Sequence, residues 1–437
     1  MEWYITLTGM FGMLTLLFLA GMPVAFAFLL INVVGLYFFM GGEKALALLV
    51  TSAFDSVATF VLVTVPLFIL MGELMFHSGV ATRALDALDR WFGRLPGRLS
   101  LVAVGGGTIF AALSGSSMAT TAMLGATLVP EMTRRGYSYV MSIGAISAGG
   151  GLAVIIPPTA LGVLLAALAK ISVAQLLIAG IIPGLFRAVL YAAYIVVRAT
   201  LNPTLAPRYD VGWVPLRQKL LGLRHFLPLG IIVFLVLGTI FLGVATPTEA
   251  AALGVVGTLL AAALYRQLTL PMLYKSLTET ARITVVVMMI IVGAQAFSQI
   301  LAFTGGSRGL VELVQGLAVP PVVLLLLMLG VVVVLGCFIS AIPIMMITIP
   351  IYSPLAHTLG FNEIWFGMLM LLTLEIGSTT PPFGLQLFVL KSVVPEASMG
   401  DVYWSCLPYT VIDMISVGVM IAFPVLVLLL PNLMMGK

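Results

Sequence analysis

Charge is what this sequence has least of. Only 8% of its 437 residues are Asp, Glu, Lys or Arg, against about 25% in an ordinary soluble domain. So little charge cannot cover the water-facing surface of a soluble protein of this size, which argues against a soluble enzyme or binding module. Cysteine is nearly absent as well. Cys337 and Cys406 both lie in apolar context and read as small core residues, not as a disulfide or metal framework. The three histidines, His77, His225 and His357, are scattered. Glu73 and His77 share helical spacing, but the second His that an H-E-x-x-H zinc site needs is missing. Lys and Arg exceed Asp and Glu by four. That excess sits in loops, so it speaks of membrane orientation and not of nucleic acid. The N-terminus lacks the basic start and small-residue cleavage site of a signal peptide, so the first apolar run is expected to be retained.

Apolar residues fill the space that charge leaves. They make up 61% of the chain, and the mean hydropathy is +1.20. Runs of about 18–25 residues, each able to cross a hydrocarbon core, recur along the whole length. Examples are 4–20, 143–169, 226–244, 283–302 and 411–430. The expected class is an all-α polytopic membrane protein.

The chain also repeats itself. One fixed offset carries Pro157-Pro158 onto Pro381-Pro382, Pro23 onto Pro247, Ser116 onto Ser340, Pro130 onto Pro354 and Gly136 onto Gly360, with no gap. Two halves are therefore expected, 1–224 and 225–437. Each Pro-Pro pair interrupts an apolar run. At membrane depth such a break frees backbone groups that lipid cannot satisfy, so it is tolerated where it lines a cavity or holds an ion. Paired breaks in two halves are the sequence pointer to a transporter's site.

Basic residues set the sense of the repeat. Arg83, Arg90, Arg94 and Arg98 form one cluster; Arg198, Arg208, Arg217, Lys219 and Arg224 mark the linker 198–224; Arg266 and Arg282 bound a third stretch. Both of the first two should be cytoplasmic. Their counterparts in the other half, 307–322 and the N-terminus, carry one Arg and no Lys or Arg respectively. Corresponding loops thus differ in charge as they would on opposite faces. This predicts an inverted repeat with an N-terminus that is periplasmic or extracellular.

Each half carries a Ser/Gly tip followed by a break. The first tip is near 114–117, with flanking pieces of about 10–13 residues, too short to span and suited to a re-entrant hairpin. The first break is near 155–158, approached through Gly149-Gly150-Gly151. The second tip lies near 336–341 and the second break near 377–382. Unwound carbonyls and hydroxyls suit a hard monovalent cation such as Na⁺ without a buried charge. Glycine is expected to supply the φ angles that turn carbonyls inward, and proline to free a carbonyl one turn earlier. Opposed half-helix N-termini would face an anion. The bland alternative is that the tips are small-residue packing surfaces. Glu73, Arg187, Glu249, Glu375 and Asp413 lie inside apolar runs without ionisable counterparts in the other half. Pairing across helices or capping a broken end is the expected role for each. Glu249 follows Thr246-Pro247-Thr248, a helix-start pattern.

Several segments together resemble one family. They are 110–131 with Ser114-Gly115-Ser116-Ser117, then Pro130-Glu131-Met132 and Arg135-Gly136-Tyr137, then Ile156-Pro157-Pro158, residues 245–252 (ATPTEAAA) and Thr380-Pro381-Pro382-Phe383-Gly384. The chain is similar, over essentially its whole length, to the large membrane subunit of TRAP (tripartite ATP-independent periplasmic) transporters. That resemblance implies Na⁺-driven import of small carboxylates such as C4-dicarboxylates, sialic acids or keto acids. It also implies an elevator-type ion-transporter fold in a bacterial inner membrane, a small four-helix membrane subunit and a periplasmic substrate-binding protein. The first Na⁺ site is expected at Ser114, Ser117, Gly151, Ile155 and Pro157, and the second at Gly336, Ile339, Gly377, Thr380 and Pro382, largely through carbonyls. Substrate contacts are expected at Ser116, Ser117, Pro158, Thr159, Ser340 and Thr379. Thr120 and Ser340 stand where the family commonly has an acid. Three other functions compete. They are proton coupling through Glu73, Glu375 or Asp413 without a binding protein, a passive channel, and an intramembrane hydrolase using Ser116 or Ser117. The hydrolase would need a base beside its nucleophile, and no His, Lys or Asp recurs near the tips.

Overall fold

The computed structural model describes residues 3–78, 88–89, 91–93, 95–114, 116–207, 227–316 and 319–436. Gly115, His225 and the basic positions Arg83, Arg90, Arg94, Arg208, Arg217, Lys219 and Arg224 lie outside them. Among the described residues the regular structure is all helical. Six helices among the described residues are long and apolar enough to cross a membrane, or seven spans if a bent pair counts as one.

By their contacts the helices fall into two groups, called bodies below, which share one large hydrophobic core. The first holds α1 (Trp3–Leu19), α2 (Val24–Phe39), α3 (Glu43–Val57), α4 (Thr64–His77), α11 (Leu227–Phe241), α12 (Pro247–Leu264), α13 (Leu270–Phe303) and α14 (Gly306–Gly316). The long helix α13 packs on α2, α3 and α4, and α4 packs on α12. A smaller core joins α1, α2 and α13 with Ala45 of α3 and Met346 of the helix 341–358, and in it Phe28 and Phe297 lie edge to face at 5.5 Å. Polar ties are few, and some buried polar atoms, Asn32 Oδ1 and Thr6 Oγ1 among them, have no partner among the described residues. Asn32 Nδ2 donates to Gly293 O at 2.7 Å, and the Thr64 and Thr248 hydroxyls meet at 2.7 Å.

The second body holds α5 (Arg98–Ser114), α6 (Ser117–Arg134), α7 (Val140–Ile155), α8 (Ala160–Ala169), α9 (Val173–Ala179) and α10 (Ile181–Leu201). It also holds α15 (Pro321–Gly336), α16 (Ala341–Thr358), α17 (Glu363–Thr379), α18 (Leu385–Val393), α19 (Met399–Ala422) and α20 (Val425–Met434). Its centre is α7 and α17. Almost every residue of both is buried, as expected of helices apolar on all sides.

The predicted tips and breaks are present as chain interruptions. Ser116 is an extended cap residue before α6, and 337–340 separate α15 from α16. The α7/α8 pair bends by 42° at its break, and α17 gives way to α18 across 380–384. The hairpin legs correct one expectation. Those of the first tip are 17 and 18 residues long, not 10–13, because α5 begins at Arg98 and α6 runs through Pro130; α15 and α16 have 16 and 18 residues. Length alone therefore does not make these legs re-entrant. Gly136 and Gly360, at corresponding positions after α6 and α16, take φ of +74° and +76°, a left-handed conformation that suits glycine after a helix C-terminus.

Candidate functional site

A cavity of about 550 Å³ lies between the two bodies. On the second body's side it is bounded by the starts of four helices: Ser116 and Ser117 at α6, Ala160 and Leu161 at α8, Ser340 and Ala341 at α16, and Leu385 at α18. Helix N-termini carry unpaired N–H groups and the positive end of the helix dipole. Four of them around one space favour an anion. The caps are partly internal. Ser116 Oγ accepts from Ala119 N at 3.4 Å and Thr159 Oγ1 from Gly162 N at 3.4 Å, while the Ser340 side chain makes no capping bond.

The opposite wall belongs to the first body. Glu73 and His77 come from α4, paired at 3.3 Å, and Lys275 and Glu279 from α13. Lys275 and Glu279, one helical turn apart, attracted no notice in the sequence. Their signal was available: charges at i and i+4 at the edge of a long apolar run, on the helix that packs against Glu73.

The glycines work differently from expectation. Gly151, Gly336 and Gly377 have no positive φ; all three are helical. What they provide is close approach. A Cβ on Gly336 would lie 2.5 Å from Gly377 Cα, so the second tip and second break touch backbone to backbone. In the Gly149-Gly150-Gly151 run, a Cβ on Gly149 would strike Ala103 O and one on Gly150 would strike Thr121 Oγ1. One on Gly151 would sit 2.8 Å from Glu375 Oε1. Each glycine of the triplet thus seats a different neighbour.

Of the expected substrate contacts, Ser116, Ser117 and Ser340 line the cavity. Pro158, Thr159 and Thr379 are not among its lining residues; Thr159 is spent on its cap, and Thr379 Oγ1 donates to Ile376 O at 3.1 Å. Of the expected Na⁺ ligands, Ser117 and Gly151 meet around Glu375, Ile339 lines the cavity, and Ser114 ends α5. Ile155 O packs on Gly180, and Pro157 lines a second, apolar cavity beside α11. Thr380 Oγ1 donates to Ile376 O at 2.6 Å, and Pro382 O accepts from Tyr403 at 2.7 Å. The structure also brings in Gln386 and Thr121, both fully buried. Gln386 Nε2 donates to Thr121 Oγ1 at 2.9 Å and to Ser147 O at 2.8 Å, tying α18 to α6 and α7. A lone amide soon after a break was its only trace in the sequence.

The other intramembrane charges are structural, as expected. Arg187 NH1 lies 3.3 Å from Asp413 Oδ1. Its Nε donates to Ser416 Oγ at 2.6 Å, and Tyr191 donates to the same carboxylate oxygen. Glu249 completes a capping box with Thr246 at the start of α12.

Known proteins place the chain in a family. Residues 11–426 match the family model described as the DctM component of tripartite ATP-independent periplasmic transporters. The C4-dicarboxylate TRAP transporter large permease protein DctM of Pseudomonas aeruginosa is 34% identical, over 87% of this chain and 88% of that one. The ectoine large permease TeaC of Halomonas elongata is 29% identical over 98% and 99%. Among solved structures, the Alcanivorax borkumensis YdaH transporter superposes with a TM-score of 0.65 at 17% identity, covering 89% of this chain and 91% of that one. At that identity the likeness speaks of fold alone. The protein is a multi-pass membrane transport component and belongs to the DctM family of TRAP large membrane subunits.

Proposed function

We propose that this subunit carries small organic carboxylates inward across a bacterial inner membrane by sodium-coupled secondary transport. The observation that carries the proposal is the convergence of four helix N-termini on one cavity between the two bodies, a setting that favours a carboxylate without burying a row of cations. Na⁺ would sit where tips meet breaks, at Ser117 and Gly151 in one half and at Gly336 and Gly377 in the other. Its occupancy would fix the tips around the substrate. The second body would move as an elevator against the first, which would be enlarged by a small four-helix membrane subunit. A periplasmic binding protein would deliver substrate. The halves 1–224 and 225–437 would be inverted repeats, with the N-terminus periplasmic.

The test is uptake by proteoliposomes holding the chain with its small subunit and binding protein. Uptake should rise steeply with external Na⁺ at fixed pH, and be small when either partner is omitted. Full uptake in Na⁺-free medium under a pH gradient would support the proton-coupled alternative, and full uptake by the chain alone would remove the tripartite requirement.

A further inference from the structure

Glu375 lies on α17 a little more than a turn before the second break, and is 3% exposed. It belongs to the second half, yet it faces the first. Its Oε1 packs on Gly151, where a Cβ would lie 2.8 Å away. The hydroxyls of Ser378 and Ser117 lie in interaction range of the carboxylate, but Oε1 has no hydrogen-bond partner among the described residues. Arg187, a cation whose charge reaches this carboxylate, is already committed. It is paired with Asp413 and bonded to Ser416. An ionised carboxylate at this depth without a counter-charge is strongly disfavoured, and Glu375 also borders the cavity that would take an anionic substrate. Lys275 lines the opposite wall together with Glu73 and Glu279, so a cation held directly beside Glu375 would offset the repulsion between that carboxylate and an anionic substrate.

We infer that Glu375 is the charged ligand of the first Na⁺ site, so that one half donates the carboxylate and the other the Ser117 hydroxyl and the backbone around Gly151. This rests on the sodium-coupled reading above. The two cation sites then differ in kind. The second tip and break, Gly336, Ile339, Gly377 and Thr380, bring no ionisable side chain, so the first site holds its ion by charge and the second by dipoles alone. Filling the first site cancels the charge of Glu375 and removes the repulsion that the substrate carboxylate would meet. Na⁺ therefore binds there before the substrate does. Gly151 is glycine because the carboxylate needs the room.

The experiment is Na⁺ titration of thermal stability, with choline as replacement, on the full chain purified with its small membrane subunit. A ligand that binds the folded state raises the melting point, so no transport is needed for the readout. Wild type should be stabilised by Na⁺. Glu375→Gln should raise the half-saturating Na⁺ concentration by about tenfold or more, as expected when a charged ligand is lost. Glu375→Asp should fall between, since it keeps the charge at shorter reach. Exposed Glu249→Gln should titrate as wild type does. If Glu375→Gln does not yield folded protein, Gly151→Ala, which crowds the carboxylate, should shift the midpoint in the same direction. A wild-type midpoint in Glu375→Gln, or in both Glu375→Asp and Gly151→Ala, overturns the assignment. So does a loss in Glu375→Gln of pH-dependent stability alone, with Na⁺ dependence intact, which gives the carboxylate to a proton. Failure of the sodium reading looks different, because wild type itself would then show no Na⁺ stabilisation.

Discussion

Gly336 and Gly377 meet without side chains between them: a Cβ on Gly377 would lie 2.7 Å from Gly336 Cα and 3.2 Å from Val333 O. Both obstacles are backbone, so nothing flexible can yield. Gly377→Val should push the second tip away from its break and abolish that site's share of Na⁺ stabilisation. Its cost in stability should be about 1–3 kcal/mol, the usual range for overpacking. Gly418→Ala is the matched control, because nothing lies within 4 Å of a Cβ there; it should be neutral or stabilise α19 by about 0.5–1 kcal/mol. Thermal unfolding with and without Na⁺ reads both variants. A Na⁺ response in Gly377→Val equal to wild type would place the second ion elsewhere.

The Arg187–Asp413 pair is buried on both sides, with Tyr191 and Ser416 completing it. Removing one partner leaves a buried charge uncompensated, so Arg187→Met and Asp413→Asn should each cost about 3–5 kcal/mol. The double variant should cost clearly less than their sum. Melting points of the purified chain give the cycle. Additive losses would mean that the two residues stabilise α10 and α19 separately and do not act as a pair.

Features written locally in the chain were legible in its sequence. Proline pairs and Ser/Gly runs mark the interruptions at Ser116, 156–159, 337–340 and 380–384, and Thr246-Pro247-Thr248-Glu249 announces its capping box. The legs of the first tip are longer than the sequence suggests, because Pro130 reads as a stop while α6 runs through it. The reason for the glycines was also hidden. Positive φ is a property of one residue, but close approach belongs to a pair. Nothing near Gly151 in the chain says that Glu375 will lie against it, or that Gln386 will reach Thr121 and Ser147. Contacts between the halves are made by the fold, and a single sequence carries no local signal for them.

The capping box offers a test of stability away from the cavity. Thr246 Oγ1 accepts from Glu249 N at 3.4 Å, and Thr246 N donates in turn to Glu249 Oε2 at 2.8 Å. Thr246→Ala should lose about 0.5–2 kcal/mol, and Thr246→Ser much less. Neither residue lines the main cavity, so the Na⁺ midpoint and the substrate KM should stay as in wild type. A shifted midpoint would tie the start of α12 to the ion sites, which the contacts do not suggest.

Lys275 is the side chain that separates an elevator from a fixed site. The four helix N-termini around the cavity belong to the second body, whereas Lys275 sits on α13 in the first. If the second body carries the substrate across, the N-termini travel with it and Lys275 does not. The lysine can then attract the carboxylate only while the cavity faces the side captured in this structure. Losing one charge-assisted contact should weaken binding by about tenfold. Lys275→Met should therefore raise KM by about that factor when substrate is offered to one face of sided proteoliposomes, and leave the other face near wild type. Ser340→Ala alters a residue of the second body, at the start of α16, so any effect on KM should be the same from both faces. Counterflow measured from each face in turn supplies the comparison. Equal shifts from both faces in Lys275→Met would mean that the lysine stays beside the substrate throughout, and the second body would then not move relative to α13.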